Sequence, residues 1–449
     1  MKIFLNLIFQ FFSKKENYIF LPLFIIYISP LFFNAQIPNG DGLRYWGFAE
    51  NITNGFYAYD ISNENFLWNG PSWPLVLSIF LFFKLNIIVP ALINCSFIFF
   101  SARILFKLGK YLKLNSFLII FLIYFIFLNQ FDQIRIATYL YTEPICILIL
   151  LMLFQNFIFK PHSKKYLLIN SSLTAFLILT KVIFFYVFLL LLILVTVYRF
   201  FLKSDIPKSL SYTIIISFLF ISPYLFYTYN LTGQYLYFAN SGGSLIYWSS
   251  NPNISELGQW KEGGQNILDL LKTDKYSFLD KDLLYATDSI LVSSRELNHI
   301  NLEELTNGKS GLEIDLIQKK LAFKNIINNP LIFTHNIIMN TSRLFLGYPY
   351  YLYFKPPYFP IYNIYNILKN SFFVFFFLAS ILIHIKTFRI KNVTENILFL
   401  FLFSYLSITV LVANQSQRFL LPILPFIIIY IVFIINRKVS FRIKKNIHV

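Results

Sequence analysis

Charge is scarce in this 449-residue sequence. Asp, Glu, Lys and Arg together make up 13% of it, against 57% hydrophobic residues. A soluble globular domain carries about 25% charged residues, so an ordinary water-facing surface is excluded. Cysteine is nearly absent, and both cysteines, Cys95 and Cys146, fall inside apolar runs, which excludes a disulfide framework. No Walker motif and no GxGxxG occurs, so nothing points to a nucleotide-binding domain. No His/Cys cluster has ligand spacing, which argues against a structural zinc. Internal repeats are missing, as is the Gly/Pro-broken pair of apolar segments common in transporters. Strict alternation is weak, which argues against an outer-membrane barrel.

What is there is a succession of long apolar runs rich in Phe, Ile and Leu. They predict an all-α polytopic membrane protein with about ten transmembrane helices, at most thirteen. The expected spans are 18–33, 85–102, 114–130, 144–159, 166–180, 182–198, 209–228, 370–385, 394–412 and 419–436. The heavy use of Phe, Ile, Asn and Lys suggests an AT-rich, bacterial genome. The net charge of +17 comes from cations scattered between the runs, not gathered in one nucleic-acid-binding patch. With the N-terminus in the cytoplasm, the Lys/Arg clusters at 103–113, 160–165, 199–208, 386–391 and 437–445 also fall inside. The short outer segments hold only Arg44, Lys84, Arg135, Lys181 and Arg418. This is the positive-inside pattern. It predicts a plasma (inner) membrane protein with both termini cytoplasmic.

Residues 3–12 and 73–83 are too short to span and read as interfacial or re-entrant, the latter with a continuation into the next span through Lys84 left open. The 18–33 run ends in "FFNAQ" without an A-x-A site, so a retained span is expected rather than a cleaved signal. Three regions result: 1–228, containing a first external loop at 34–72; an external loop domain at 229–360, partly helical; and a C-terminal membrane region at 361–449. Within the loop domain, Asn329-Pro330 reads as the end of one helix and the start of another.

The orientation gathers the unusual polar residues on the outer side. Asp41, Glu143, Lys181 and Arg418 lie at or near the outer ends of spans one, four, five and ten. Charges at membrane depth are costly and tend to be functional. Cations suit a phosphate and a carboxylate suits a base. Each residue also has a plainer reading. Asp41 follows Pro38-Asn39-Gly40 and is a candidate N-cap. Glu143 complements a helix dipole, Lys181 can snorkel to the interface, and Arg418 can anchor a helix end. Asp41, Arg44, Tyr45 and Phe48 share one helix face, and Gly242-Gly243 reads as a turn.

Taken in order, the motifs resemble the GT-C glycosyltransferases, in the branch of the lipid A aminoarabinose transferase and the protein O-mannosyltransferases. "GDGLRYWGFAENITNG" with "NGPSWPLVLSIFLFFKL" resembles their first external loop. "YTEPICILILLML", "LILTKVIFFYVFLL", "PYLFYTYNLTGQYLYFANSGGSLIYWSSNP" and "QSQRFLLPILPFIII" resemble later landmarks, covering about residues 18–436. The resemblance implies transfer of a single sugar from a polyprenyl-phosphate donor to a lipid, glycan or protein hydroxyl, with inversion, on the outer side. It implies Asp41 and Glu143 as catalytic carboxylates, and Lys181, Arg418 and Arg44 as donor-phosphate ligands. Tyr45, Asn240, Gly242 and Gly243 are the implied substrate-binding residues. The sequence departs from the family at Asp41-Gly42, where the mannosyltransferases have Asp-Glu, and at Phe419, where Tyr is common. No motif fixes a cofactor, and an Asp–Glu pair is able to hold a divalent metal ion. The rival readings are a non-enzymatic flippase or exporter of lipid-linked sugars, and an oligosaccharide ligase or polymerase using outer Arg295, His299, His335 and Arg343. The near absence of charge inside the spans weighs against alternating access.

Overall fold

The computed structural model describes residues 18–33, 37–57, 67, 70–128, 131–160, 163–201, 205–252, 258, 310–346, 361–388, 392–412 and 417–446. Among these, every regular element is helical. α1 (Leu21–Ile28) runs into a 3-10 turn (Ser29–Phe32), and α2 (Asp41–Thr53) is the polar island. α3 (Ser72–Phe82), α4 (Ile88–Tyr111), α5 (Ser116–Leu128) and α6 (Phe131–Thr138) follow. Next come α7 (Glu143–Phe159), α8 (Lys164–Thr180), α9 (Ile183–Phe200) and α10 (Asp205–Thr232). α11 (Ser241–Ser249), α12 (Gly311–Asn328) and α13 (Pro330–Leu346) separate these from α14 (Ile361–Lys386) and α15 (Val393–Val412). A second 3-10 turn (Gln417–Leu420) and α16 (Leu424–Asn446) complete the chain.

Every expected span overlaps a helix, although the first holds only the short α1 with its 3-10 turn and the last becomes α-helical only from Leu424; an apolar backbone segment must satisfy its own N–H and C=O groups. Five are long and apolar enough to cross a membrane: Ile88–Tyr111, Ile183–Phe200, Ile206–Thr232, Leu368–Lys386 and Val393–Val412. The other expected runs form shorter apolar helices, including Ser116–Leu128 and Glu143–Phe159, and α8 with its two leading lysines. Large apolar side chains such as Leu219, Phe226, Phe372 and Phe375 are exposed on these helices. A soluble monomer rarely shows so much apolar surface; here it suits contact with lipid.

The 73–83 run is a separate helix. α3 ends at Phe82, and Lys84 takes a positive φ of 52°, so α3 does not continue into α4. Asn329-Pro330 divides α12 from α13 as expected, and a Ser310–Glu313 capping box opens α12. The bundle shares one apolar core running from Phe20 to Ile434. α11 and α12 pack together over a small second cluster of Tyr247, Trp248 and Ala322. Gly242 and Gly243 lie in the first turn of α11, so the reading of this pair as a free turn is corrected: the helix continues because α12 covers it.

Candidate functional site

Close backbone contact builds the site. Gly40 stands at the N-cap of α2 with a φ of 54°, a conformation glycine adopts without strain. A Cβ on Gly42 would lie 1.6 Å from the Tyr139 carbonyl oxygen. Only glycine lets α2 lie flat on the chain that leads into α7. That chain is itself pinned: Asn94 donates to the carbonyls of Ala137 (2.9 Å) and Tyr141 (3.0 Å). The Trp73 indole donates to the Leu140 carbonyl at 2.8 Å. Glu143 therefore begins α7 directly beneath the first turn of α2. The Asp41-Gly42 departure has a physical reason, since a carboxylate side chain in place of Gly42 would collide with backbone.

Lys181 arrives by the same device. It sits in extended backbone between α8 and α9, and a Cβ on Gly70 would lie 2.1 Å from the Leu179 carbonyl oxygen. Arg418 lies in the second 3-10 turn, which is tied on both sides. Gln417 donates to the Phe345 carbonyl at 3.0 Å, and the buried Tyr405 hydroxyl donates to the Phe419 carbonyl at 2.7 Å.

These placements bring the four charged residues into one network. Arg418 Nη2 is 2.5 Å from Asp41 Oδ2, and Arg418 Nε is 2.9 Å from Glu143 Oε1. Lys181 Nζ donates to the same Glu143 Oε1 at 2.7 Å. Arg44 Nη1 stands 3.4 Å from Asp41 Oδ1. Three cations thus face two carboxylates, leaving one positive charge in excess. Exposure is graded: the Asp41, Arg418, Lys181 and Glu143 side chains are 24%, 19%, 10% and 2% accessible. Glu143 is the buried anchor, and its Oε2 has no hydrogen-bond partner among the described residues. Arg418 also lies 5.0 Å from the Tyr141 ring and Lys181 5.4 Å from the Phe419 ring, contacts of cation–π length.

Asp41 is the first residue of α2, while Gly40 is its N-cap, and no side-chain cap bond is made there. The carboxylate faces the cations instead. Burial works to raise its pKa, but Arg418, Arg44 and Lys181 outweigh it and hold the carboxyl below its ordinary value. Tyr45 is buried on the same face of α2. Burial, together with the Asp41 and Glu143 charges, pushes its phenol well above the usual range, so Tyr45 is a neutral hydrogen-bonding group.

Asn240, Gly242 and Gly243 belong to a different set of contacts. The Asn240 N–H donates to the Leu67 carbonyl at 2.8 Å, its side-chain oxygen accepts from the Leu67 N–H, and its amide donates to the Tyr237 hydroxyl at 2.9 Å. Asn240 thereby joins the first external loop to α11. The Gly243 N–H donates to Asp315 Oδ1 at 2.6 Å, and Lys319 holds Asp315 Oδ2 at 2.6 Å. Burial raises the Asp315 carboxyl in spite of Lys319. These residues fasten α12 onto α11, and Tyr186 near the start of α9 lies within electrostatic reach of Asp315.

An open apolar cavity of about 700 Å³ lies at the far end of α2, lined by Ile52, Phe56, Tyr57, Leu75, Leu179 and Tyr224 among others. Leu179 of its lining is two residues from Lys181 in the chain, but none of the four charged residues lines the cavity. For a divalent ion the fit is poor. Arg418 already bridges the two carboxylates, and among the described residues no group of three or more His, Cys, Asp or Glu converges.

The sequence reading missed one buried polar pair and, having named Arg343 as an outer-loop residue, did not foresee its burial. His384 Nδ1 and Glu395 Oε1 approach to 2.7 Å where α14 ends and α15 begins, both side chains almost fully buried. On α13, Asn336, Asn340 and Arg343 are fully buried, and Arg343 donates to Asn340 at 2.5 Å. A polar row at i, i+4, i+7 on an apolar helix was the available signal. Arg343 is thus packed inside the protein, while Arg295 and His299 lie outside the described residues.

No protein-family model, curated protein or solved structure matches the chain. The functional reading therefore rests on the residues themselves.

Proposed function

We propose that the chain is an integral-membrane glycosyltransferase that moves one sugar from a polyprenyl-phosphate donor to a hydroxyl acceptor at the outer membrane face, with inversion. The observation that carries this reading is the Asp41–Arg418–Glu143–Lys181 network. It combines an accessible carboxylate with two cations held on a buried one, and an open apolar cavity lies at the far end of α2. The positive-inside pattern supports ten crossings, cytoplasmic termini and an outer site in a bacterial plasma membrane.

In the proposed reaction Lys181 and Arg418 bind the donor phosphate by charge-assisted hydrogen bonds. The acceptor oxygen forms a bond to the anomeric carbon as the bond from that carbon to the phosphate oxygen breaks. The acceptor proton passes to Asp41, and the leaving polyprenyl phosphate keeps the electron pair and remains on the cations. Such a transition state needs a positioned nucleophile, a base and stabilisation of leaving-group charge. A phosphate leaving group makes a nucleotide domain unnecessary. Tyr45, buried on the same helix as Asp41, supplies a neutral hydrogen-bonding group.

Asp41→Asn and Asp41→Ala test the assignment, measured as transfer from a polyprenyl-phosphate sugar with equal amounts of inserted protein. The Asn variant preserves size and removes the charge, so turnover should fall roughly 10²–10⁴-fold without loss of folding. Near wild-type transfer by the Asn variant would end the catalytic assignment. For the flippase alternative, lipid-linked sugar should cross vesicle membranes without any transfer product.

A further inference from the structure

Arg418 serves two carboxylates, and they are not equivalent. Its Nε–Glu143 bond is buried and reinforced by Lys181 on the same oxygen. Its Nη2–Asp41 bond lies at the accessible edge of the network. A phosphate oxygen entering from the open side meets this outer half of the guanidinium first. A phosphate bound to this outer half would stand beside the Asp41 carboxylate, and the two anions repel each other, so they compete for that half although the guanidinium has five N–H donors. The Glu143 half keeps its partner, since Glu143 is only 2% accessible and lies out of reach of an anion arriving from the open side. Arg44, at 3.4 Å on the other Asp41 oxygen, retains the carboxylate loosely without satisfying it.

We infer that the donor phosphate displaces Asp41 from Arg418, so that arrival of the lipid donor is what releases the carboxylate to act on the acceptor. The inference rests on the glycosyl-transfer reading above and adds an order to it: donor first, acceptor second. In the free protein Asp41 is neutralised by its arginine and a poor base. In the donor complex the phosphate takes Nη2, and Asp41 turns to the acceptor hydroxyl, whose proton it receives as the new glycosidic bond forms. Departure of the polyprenyl phosphate lets Arg418 return to Asp41. The same exchange guards against wasted donor, because the carboxylate is competent only while the phosphate is seated.

The test uses full-length protein in detergent micelles and farnesyl phosphate, which has the headgroup and a short chain but no sugar to transfer. Asp41 is labelled with a carbodiimide and an amine, and the labelled peptide is quantified by mass spectrometry. Retention of isotope-labelled farnesyl phosphate is measured in parallel. An opposite charge nearby shifts a carboxyl pKa by about 1–3 units. Loss of the arginine contact should therefore raise the reactive, protonated fraction and the labelling of Asp41 about tenfold or more. Glu143 labelling should not follow. Arg418→Gln protein should show high Asp41 labelling from the outset, unresponsive to the lipid; the wild-type comparison decides the matter even if that variant does not fold. Retention of farnesyl phosphate with Asp41 labelling unchanged or reduced would overturn the exchange and leave the transfer reading standing. Absence of any retention would overturn both. Equal release by inorganic phosphate at the same concentration would overturn the lipid donor as the trigger.

Discussion

Gly42→Ala adds one methyl group at a place where the site has no room for it. Its Cβ would stand 1.6 Å from the Tyr139 carbonyl oxygen, and that carbonyl belongs to a segment pinned by Asn94 and Trp73. Ordinary contact begins near 3.4 Å, so α2 must lift by about 1.8 Å, at a cost of about 1–3 kcal/mol for overpacking. A lift of that size stretches the Asp41–Arg418 contact from 2.5 Å to about 4 Å, the outer limit of an ion pair. Misplacement by 1 Å is enough to cost about 10²-fold in rate. Transfer should therefore fall by at least about 10²-fold while Asp41 itself is intact. Gly47→Ala is the control, on the same helix with nothing within 4 Å of its added Cβ. It should leave transfer unchanged and stabilise by about 0.5–1 kcal/mol. Transfer rate and thermal stability, read side by side for the two variants, check the reasoning. If Gly42→Ala matches Gly47→Ala in both, the close approach of α2 does not position the site.

Lys181→Ala should raise the donor KM and also destabilise by about 1.5–3 kcal/mol, because it removes one of the two charge-assisted bonds on the buried Glu143 and leaves Arg418 as the other. Adding Glu143→Gln should restore stability but not donor affinity, as read by thermal unfolding and donor kinetics. Because the cations depress the Asp41 pKa, its ionised form prevails above the folded value. The Asp41 contribution to stability should be complete above the ordinary carboxylate range and be lost only as pH falls through the lower folded pKa, so a stability–pH series should show its acid limb there. An acid limb above the ordinary value would contradict that direction. Reporters fused after Lys165 or Lys208 should report cytoplasm and one near Lys281, outside the described residues, the outer side; the reverse for Lys281 would remove the outer site.

The helices were legible because an apolar run in this chain has no alternative way to satisfy its backbone, and α7, α9 and α15 begin within a residue of their expected starts. The four charged residues were legible as a level, since orientation alone sets Asp41, Glu143, Lys181 and Arg418 at one end of the bundle. Their pairing was not. That Arg418 bridges two carboxylates depends on the 3-10 turn fixed by Gln417 and Tyr405, and no local pattern encodes such a tie. Gly42 looked like a missing carboxylate; only the Tyr139 carbonyl above it explains the glycine. Asp315 and Gly243 are 72 residues apart, and His384 and Glu395 sit at the ends of separate runs. In neither case does spacing in the chain announce the contact.

The length of α5 has a consequence for the lipid around the protein. Its 13 residues make a rod about 20 Å long, against a hydrocarbon layer of about 30 Å, and it exposes Phe117, Leu118 and Phe121. A bilayer that meets this helix relieves the mismatch by thinning, at a fraction of a kcal/mol per Å. The longer α7 feels no such mismatch, because most of its side chains are buried among other helices. On the proposed glycosyl-transfer reading, a thinned flank would bring lipid headgroups toward the depth of the protein's charged network. The shortness of one exposed helix would then shape the membrane that the proposed lipid donor travels in.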